Sequence, residues 1–305
     1  MTGELMIKAD LHTHSTCSDG ELTPTELVLQ ANDLGFGIMS LTDHDITSGV
    51  REALARSDEC EVEVIPGMEV TLRFTREYFT GSLHVLVYFS ADQLFDDDFM
   101  QDLAFTVSKG RGPGLVSARV ESINSHFGPH GENPVLQRNL TVEEIASLAQ
   151  NISRRHFAKA LSQNHDLSRE QVTMLIGNQS PAYVPSGIEL SRLKLFLDRH
   201  GVVPVLAHPA AGSFPGDSHY KEVLPPLETV ERLLPEFLDA GIRGLEVYYP
   251  GHTEVHVKRL LRLASENDLV VTGGSDCHDR TERPMLKPGL VGDISAFLDL
   301  LKRTR

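Results

Sequence analysis

Histidines and carboxylates recur through this chain at short, regular spacings. His12 and His14 stand two apart in the run MIKADLHTH, residues 6–14. On an extended strand, residues two apart share a face, so both imidazoles can reach one cation. Asp276 and His278 repeat the spacing where LVVTGGSD, residues 269–276, runs into Cys277-His278; Cys277 points away and reads as a small buried apolar residue. Between these pairs lie Asp19 after the first run, His44 in Thr42-Asp43-His44-Asp45, Glu69 in Gly67-Met68-Glu69, then His84 and His208. Any one of the nine has an ordinary alternative as a core histidine or a capping aspartate. Their recurrence as a set points to a metal centre. Neutral imidazole mixed with hard carboxylate suits Mn²⁺, Fe²⁺ or Zn²⁺ and not Ca²⁺. Asp96-Asp97-Asp98 has no histidine beside it and reads as a solvated helix start.

The elements that must position these residues alternate. Seven apolar or β-branched runs read as strands: 6–14, 37–44, 63–69, 83–89, 202–208, 244–248 and 269–276. Amphipathic helices fit between them at 23–34, 229–240 and 253–267; the first opens on Thr23-Pro24, an N-cap followed by proline. Strand–helix alternation predicts a parallel sheet or barrel, which carries its chemistry at the carboxyl ends of the strands. The stretch from about 91 to 199 differs. It shows helical patterns at 140–150, 155–163 and 169–176, loop signals at Gly110-Arg-Gly-Pro-Gly114 and Gly128-Pro129, and no strand. It reads as a helical insertion.

The 305 residues suffice for a large α/β domain with one insertion, and 40% hydrophobic content is that of an ordinary globular chain. A net charge of −15 argues against long duplex nucleic acid, while leaving small phosphorylated substrates open. No run is long enough for a membrane span, no secretory signal is evident, and Cys17, Cys60 and Cys277 form no CxxC pair; a cytoplasmic location is expected. Nothing in the sequence signals an oligomeric state.

The segments DLHTHSTCSDG, LTDHD, GMEV, VLAHP and GGSDCH resemble the polymerase and histidinol phosphatase (PHP) family of phosphoesterases. The resemblance implies a distorted seven-stranded (β/α)7 barrel holding two to three divalent ions, Mn²⁺ first, with Fe²⁺ or Zn²⁺ as alternatives. It implies a first ion on His12, His14, Glu69 and Asp276, a second on Glu69, His84 and His208, and a third on Asp19, His44 and His278. A water bridging the first two ions, positioned by Glu69, would be the nucleophile. The barrel is expected over 1–97 and 200–305, and a pocket-shaping insertion over 98–199.

The insertion resembles that of the nucleoside 3′,5′-bisphosphate phosphatase and 5′→3′ exoribonuclease branch. Arg154 and His156 match its Arg-x-His segment and are expected to hold a substrate phosphate; Arg155 takes a middle position that is usually proline or glycine. His252 is expected to line the pocket, and with Asp43 and Asp45 is a candidate for orientation or proton delivery. The implied substrate is a small pAp-like nucleotide giving AMP. Alternatives are a histidinol-phosphate type phosphatase, an exoribonuclease on short RNA, a C–N hydrolase and an inactive regulatory barrel.

Overall fold

The computed structural model describes residues 8–108, 110–149, 152–216, 224–281, 284–285, 290–291 and 294–304. Positions 6–7 of the first expected strand and position 150 of the expected helix 140–150 lie outside the described residues.

Strand β1 (Lys8–Thr13) pairs in parallel with β2 (Ile38–Leu41), and β2 in parallel with β3 (Glu63–Arg76). Helix α1 (Pro24–Asp33) makes the first crossover. Its start is written in the sequence: Thr23 Oγ1 accepts the Glu26 N–H, Glu26 reaches back to the Thr23 N–H, and Pro24 presets φ in the first turn. Helix α2 (Val50–Ser57) makes the second crossover.

The parallel pattern then breaks. β3 continues past Glu69 to Arg76, turns at Glu77-Tyr78 and returns antiparallel as β4 (Phe79–Tyr88), with Arg76 opposite Phe79 and Gly67 opposite Tyr88. β4 is also antiparallel to β5 (Val203–Leu206). The expected parallel sheet or barrel thus has two antiparallel pairings at β4. A two-residue turn cannot make the crossover that parallel neighbours need. Beyond Glu69, buried Val70, Leu72 and Phe74 alternate with exposed Arg73 and Thr75, a period-2 pattern that belongs to a longer strand than expected.

The sheet resumes in parallel through β6 (Gly244–Tyr248) and β7 (Val270–Gly273), with helix α10 (Leu227–Asp239) between β5 and β6 and α11 (Glu254–Glu266) between β6 and β7. The full order is β7-β6-β5-β4-β3-β2-β1-β8, where the short β8 (Leu290–Val291) lies antiparallel on β1 as an eighth strand. The sheet curls until β1 meets the end of β7. Thr13 bridges Cys277, the Asp276 N–H donates to the His12 carbonyl at 2.9 Å, and the His14 N–H donates to the Cys277 carbonyl at 2.9 Å. Gly274 permits this approach, since a Cβ there would fall 2.4 Å from His12 Cβ. The α/β class and the distorted seven-stranded barrel read from the sequence are present.

Between β4 and β5 the chain forms α3 (Ala91–Leu94), α4 (Asp97–Val107), α5 (Pro113–Phe127), α6 (Val142–Ala146), α7 (Arg154–Asn164), α8 (Arg169–Ile176) and α9 (Leu190–Leu197). The acidic run starts a helix: the Asp96 carboxylate accepts the Asp98 and Phe99 N–H groups. Helix α5 starts inside a stretch that reads as loop. Its Val116, Val120, Ile123 and Phe127 are spaced for one helical face, a signal masked by the glycines before it. Helices α5 to α8 bury a cluster of their own around Ile123, Phe127, Ile145, Phe157, Leu161 and Leu175. Helices α4 and α9 instead add Phe99, Leu103, Leu193 and Phe196 to the large cluster around the sheet. The separately packed stretch thus spans 116–182. It is strapped to the projecting half of β3, where the Ile188 N–H donates to the Thr71 carbonyl (2.9 Å) and the Arg73 N–H to the Ile188 carbonyl (3.0 Å). Gly187, at a φ of 106°, lies so close to Thr71 that a Cβ would sit 2.5 Å from its carbonyl oxygen.

Candidate metal centre and its cavity

The fold brings all nine expected ligands together. Glu69 is central. Its Oε2 lies 3.3 Å from His12 Nε2, 3.2 Å from His14 Nε2 and 3.0 Å from His44 Nδ1. Its Oε1 lies 2.9 Å from His84 Nδ1 and 3.1 Å from His208 Nε2. Asp276 Oδ1 is 3.5 Å from His12 Nε2 and 3.1 Å from His14 Nε2. Asp19 Oδ1 is 3.3 Å from His278 Nε2 and 4.0 Å from His44 Nε2. Three groups have mutually close donor atoms: His12, His14, Glu69 and Asp276; His44, Glu69 and His84; and His14, Asp19, His44 and His278. His44 thus stands between two groups, nearer Glu69 than Asp19. His84 is not at a strand end as expected. In the antiparallel hairpin it reaches the cluster from mid-strand, opposite Thr71.

The donor set fits divalent cations. Asp19 Oδ1, Glu69 Oε2 and the Nδ1 atoms of His14 and His208 are shut off from solvent and make no hydrogen bond among the described residues. Burial pushes the Glu69 carboxyl up, but His84, His44 and His12 outweigh it and hold the group well below the usual range. Asp19 is held down in the same way, against its burial, by His278 and His44. Burial pushes His14 down, yet Asp276 and Glu69 raise it to about 9. Glu69 and Asp19 are kept as anions and His14 draws positive charge between them, while burial pushes His84 down to about 4 and keeps that ring neutral; a metal ion supplies the positive charge in place of protons.

The backbone around the cluster is held by buried polar groups. Asp43, a candidate for proton delivery, is fully engaged: its oxygens accept the Ser15 N–H (2.7 Å), the Ser15 hydroxyl (2.6 Å) and the Ser18 hydroxyl. Asp10 does the same for Ser275, accepting its N–H at 2.9 Å and its hydroxyl at 2.6 Å. Asp45, also expected to orient or deliver a proton, accepts the Thr71 N–H (2.8 Å) and pairs with Arg111. Three residues here take left-handed φ values without being glycine: Asp45 (52°), His208 (30°) and Asp276 (54°). Such strain is sustained only where surrounding contacts over-determine it. Cys277 is fully buried and burial pushes its thiol up to about 12, which agrees with the apolar reading.

A cavity of about 450 Å³ opens above the cluster, and all expected ligands except His12 and His14 line it. The same cavity is lined by five arginines, Arg111, Arg119, Arg154, Arg155 and Arg169. Arg154 donates to Asn178 Oδ1 at 2.8 Å and lies over the Tyr183 ring. Arg119 donates to the Val184 carbonyl at 3.0 Å and makes no ion pair with a carboxylate among the described residues. Burial, with Arg154 and Arg111 nearby, pushes its guanidinium down to about 9. Arg155, left uncertain by the sequence, lines the cavity and reaches Asp279 at 3.7 Å.

Two expectations shift. His156 is not part of the lining; its Nδ1 accepts the Ser153 N–H at 2.9 Å in the capping box of α7. His252 does not line the cavity either. Its Nδ1 donates to the Val247 carbonyl of β6 (2.8 Å) and its Nε2 accepts the Ala210 N–H (3.1 Å), so the ring ties β6 to the segment after β5. Sequence reasoning missed Arg111, Arg119, Glu246 and Tyr249, whose hydroxyl donates to Asp276 Oδ2 at 2.9 Å. Glu246 had a visible signal, a charge inside the apolar run GLEVY. Arg119 had none beyond its place on the unrecognised helix α5.

A family model described as the PHP domain matches residues 10–170, more than half of the chain. The chain belongs to the PHP family. Over 281 residues, 89% of this PHP chain and 90% of the relative, it is 27% identical to a 5′-3′ exoribonuclease of Haemophilus influenzae. Over 286 residues, 90% of this chain and 88% of the relative, it is 27% identical to a 3′,5′-nucleoside bisphosphate phosphatase of Chromobacterium violaceum. Among solved structures, one from Bifidobacterium adolescentis described as a metal-dependent phosphoesterase superposes with a TM-score of 0.73 at 26% identity, covering 98% of this chain and 97% of that one. This PHP protein is a metal-dependent hydrolase acting on phosphoester bonds. Among the described residues, no helix is long and apolar enough to cross a membrane.

Proposed function

We propose that this protein removes the 3′-phosphate of a pAp-like nucleoside 3′,5′-bisphosphate, giving the 5′-monophosphate and inorganic phosphate. One observation carries the reading: a single cavity is lined both by a His–carboxylate cluster, its floor, and by a set of arginines, its arginine wall. A substrate with one reacting and one remote phosphate satisfies both sides.

In this reading His12, His14, Glu69 and Asp276 hold one ion, Glu69, His84 and His208 a second, and Asp19, His44 and His278 a third. Mn²⁺ comes first, and Fe²⁺ or Zn²⁺ fits the same donors. Bound divalent ions supply Lewis acidity toward phosphoryl oxygen and a water activated near neutral pH. Glu69 shares its two oxygens between groups and fixes their spacing. Tyr249 holds Asp276 in orientation. Arg154, joined by Arg119, takes the remote phosphate, since guanidinium presents paired donors to such an anion. Because His156 Nδ1 accepts from Ser153, its Nε2 carries the proton and remains a donor. Binding energy from the remote group orients the reacting one. The helices over 98–199 act as the unit that selects the substrate, and the barrel over 1–97 and 200–305 as the unit that cleaves it. The three free thiols suit a reducing cytoplasm.

A second reading, 5′→3′ cleavage of short RNA, is favoured by the Haemophilus influenzae relative, as similar as the phosphatase. Purified protein with Mn²⁺ is offered pAp, a 5′-phosphorylated dinucleotide and histidinol phosphate. The expected result is AMP plus phosphate from pAp, with the highest kcat/KM of the three. Faster cleavage of the dinucleotide selects the second reading, and faster turnover of histidinol phosphate removes both.

A further inference from the structure

Glu246 lies in the middle of β6, wholly shielded from solvent. A carboxylate in an apolar strand is costly unless its oxygens are matched. Both are matched here, by two different parts of the His–carboxylate cluster. Oε1 lies 3.0 Å from His12 Nδ1, and Oε2 accepts the backbone N–H of His208 at 2.7 Å.

Each contact has a consequence. An imidazole nitrogen facing a carboxylate carries the proton, so His12 keeps Nδ1–H toward Glu246. Its Nε2 lone pair then points at His14 Nε2 (3.1 Å), Glu69 Oε2 (3.3 Å) and Asp276 Oδ1 (3.5 Å). The other tautomer would aim a hydrogen into the cluster and remove the lone pair a cation needs. His208 holds a φ of 30°, a backbone state that is strained for a non-glycine residue. The N–H of that strained residue is the group that Glu246 grips. The bend so fixed sends the chain into the turn Ala211–Ser213 and leaves His208 Nε2 3.1 Å from Glu69 Oε1.

We propose that Glu246 is a positioning residue that presets two parts of the metal centre at once. One oxygen selects the His12 tautomer; the other holds the strained His208 backbone. This rests on His12 and His208 being metal ligands, and not on which phosphoester is cleaved.

The test is Glu246→Gln in the full chain, an isosteric change with an asymmetric effect. The His208 N–H can only donate, so the new amide oxygen stays with it. The amide NH₂ then faces His12 Nδ1, which must accept, and the His12 proton moves to Nε2. Mn²⁺ affinity, read by chelator competition on purified protein, is expected to fall 10- to 100-fold, the usual cost of losing such an outer partner. The melting temperature of the metal-free protein is expected to stay near wild type. Glu246→Asp keeps the charge and is expected to restore part of the affinity. His12→Ala runs alongside. If it binds Mn²⁺ with wild-type number and affinity, the ligand reading is at fault. If it loses an ion while Glu246→Gln stays within twofold of wild type, the role given to Glu246 is wrong. A metal-free Glu246→Gln protein that melts far below wild type, with Glu246→Asp melting equally low, would also overturn the proposal, since Glu246 would then be a packing residue.

Discussion

The two walls of the cavity are built by opposite rules. The His–carboxylate floor stands on and beside strands, where hydrogen-bonded neighbours fix each backbone and buried carboxylates such as Asp10 and Asp43 tie the loops. The arginine wall stands on and around helices that pack into their own small apolar cluster. It meets the barrel through the strap at Ile188 and through two Arg–Asp pairs, Arg111 with Asp45 and Arg155 with Asp279. Both aspartates directly follow cluster histidines, His44 and His278. The floor is therefore a rigid device for chemistry. The wall packs separately and is anchored on the same short segments that carry the floor's side chains; in the proposed function it is the part that selects.

Breaking the floor gives the largest effect. Glu69→Gln removes one of the two charged oxygens that five imidazoles surround, and kcat/KM is expected to drop roughly a thousandfold on any phosphoester the protein cleaves. Phosphate-release assays read this directly. Retention of a tenth of the activity would mean that Glu69 does not link the groups. Breaking the wall is expected to cost less and to depend on substrate. Arg154→Ala and Arg119→Ala should each lower kcat/KM for a bisphosphate roughly ten- to hundredfold, as for a lost hydrogen bond to a charged group, and leave a monophosphate nearly unaffected. Equal losses on both substrates would place these arginines at the reacting phosphate and erase the distinction between the walls.

The smallest expected effect concerns His252, which belongs to neither wall. Burial pushes it down to about 4 from an ordinary 6.5. As pH falls from 6.5 toward 4, the unfolded chain takes up a proton that the folded chain refuses. The stability it contributes is complete above 6.5 and declines through that window, by at most about 1.4 kcal/mol per pH unit. Urea unfolding between pH 4.5 and 7.5 should show a shallower decline for His252→Asn than for wild type, with activity per folded molecule little changed. An unchanged slope would mean that burial does not hold the ring neutral.

The contrast also explains what the sequence disclosed. Ligands at strand ends follow from local periodicity: His12 and His14 must share a face, and so must Asp276 and His278. Their convergence needs only that the strands lie side by side. His84 was legible as a residue but not in its setting, because its position follows from the β3–β4 hairpin and no run of residues announces strand direction. Arg119 was illegible because a cavity wall is defined by what helices face across space. Arg111 was hidden by the glycines around it. His252 misled for a related reason: the sequence shows a histidine near the site but not the Val247 and Ala210 backbone groups that consume its nitrogens. Glu246 could have been found, since a carboxylate amid Leu245 and Val247 asks for a partner.

The seam between β1 and the end of β7 fixes an order of events in biosynthesis. His12 and His14 leave the ribosome long before Asp276 and His278, with which they share one cluster. A nascent chain can pair β1 with β2 and β2 with β3 early, but the four-donor set completed by Asp276 waits for one of the longest loop closures in the molecule. Metal captured in that set therefore reports a finished barrel, and cations held there stabilise the late-closing seam against reopening.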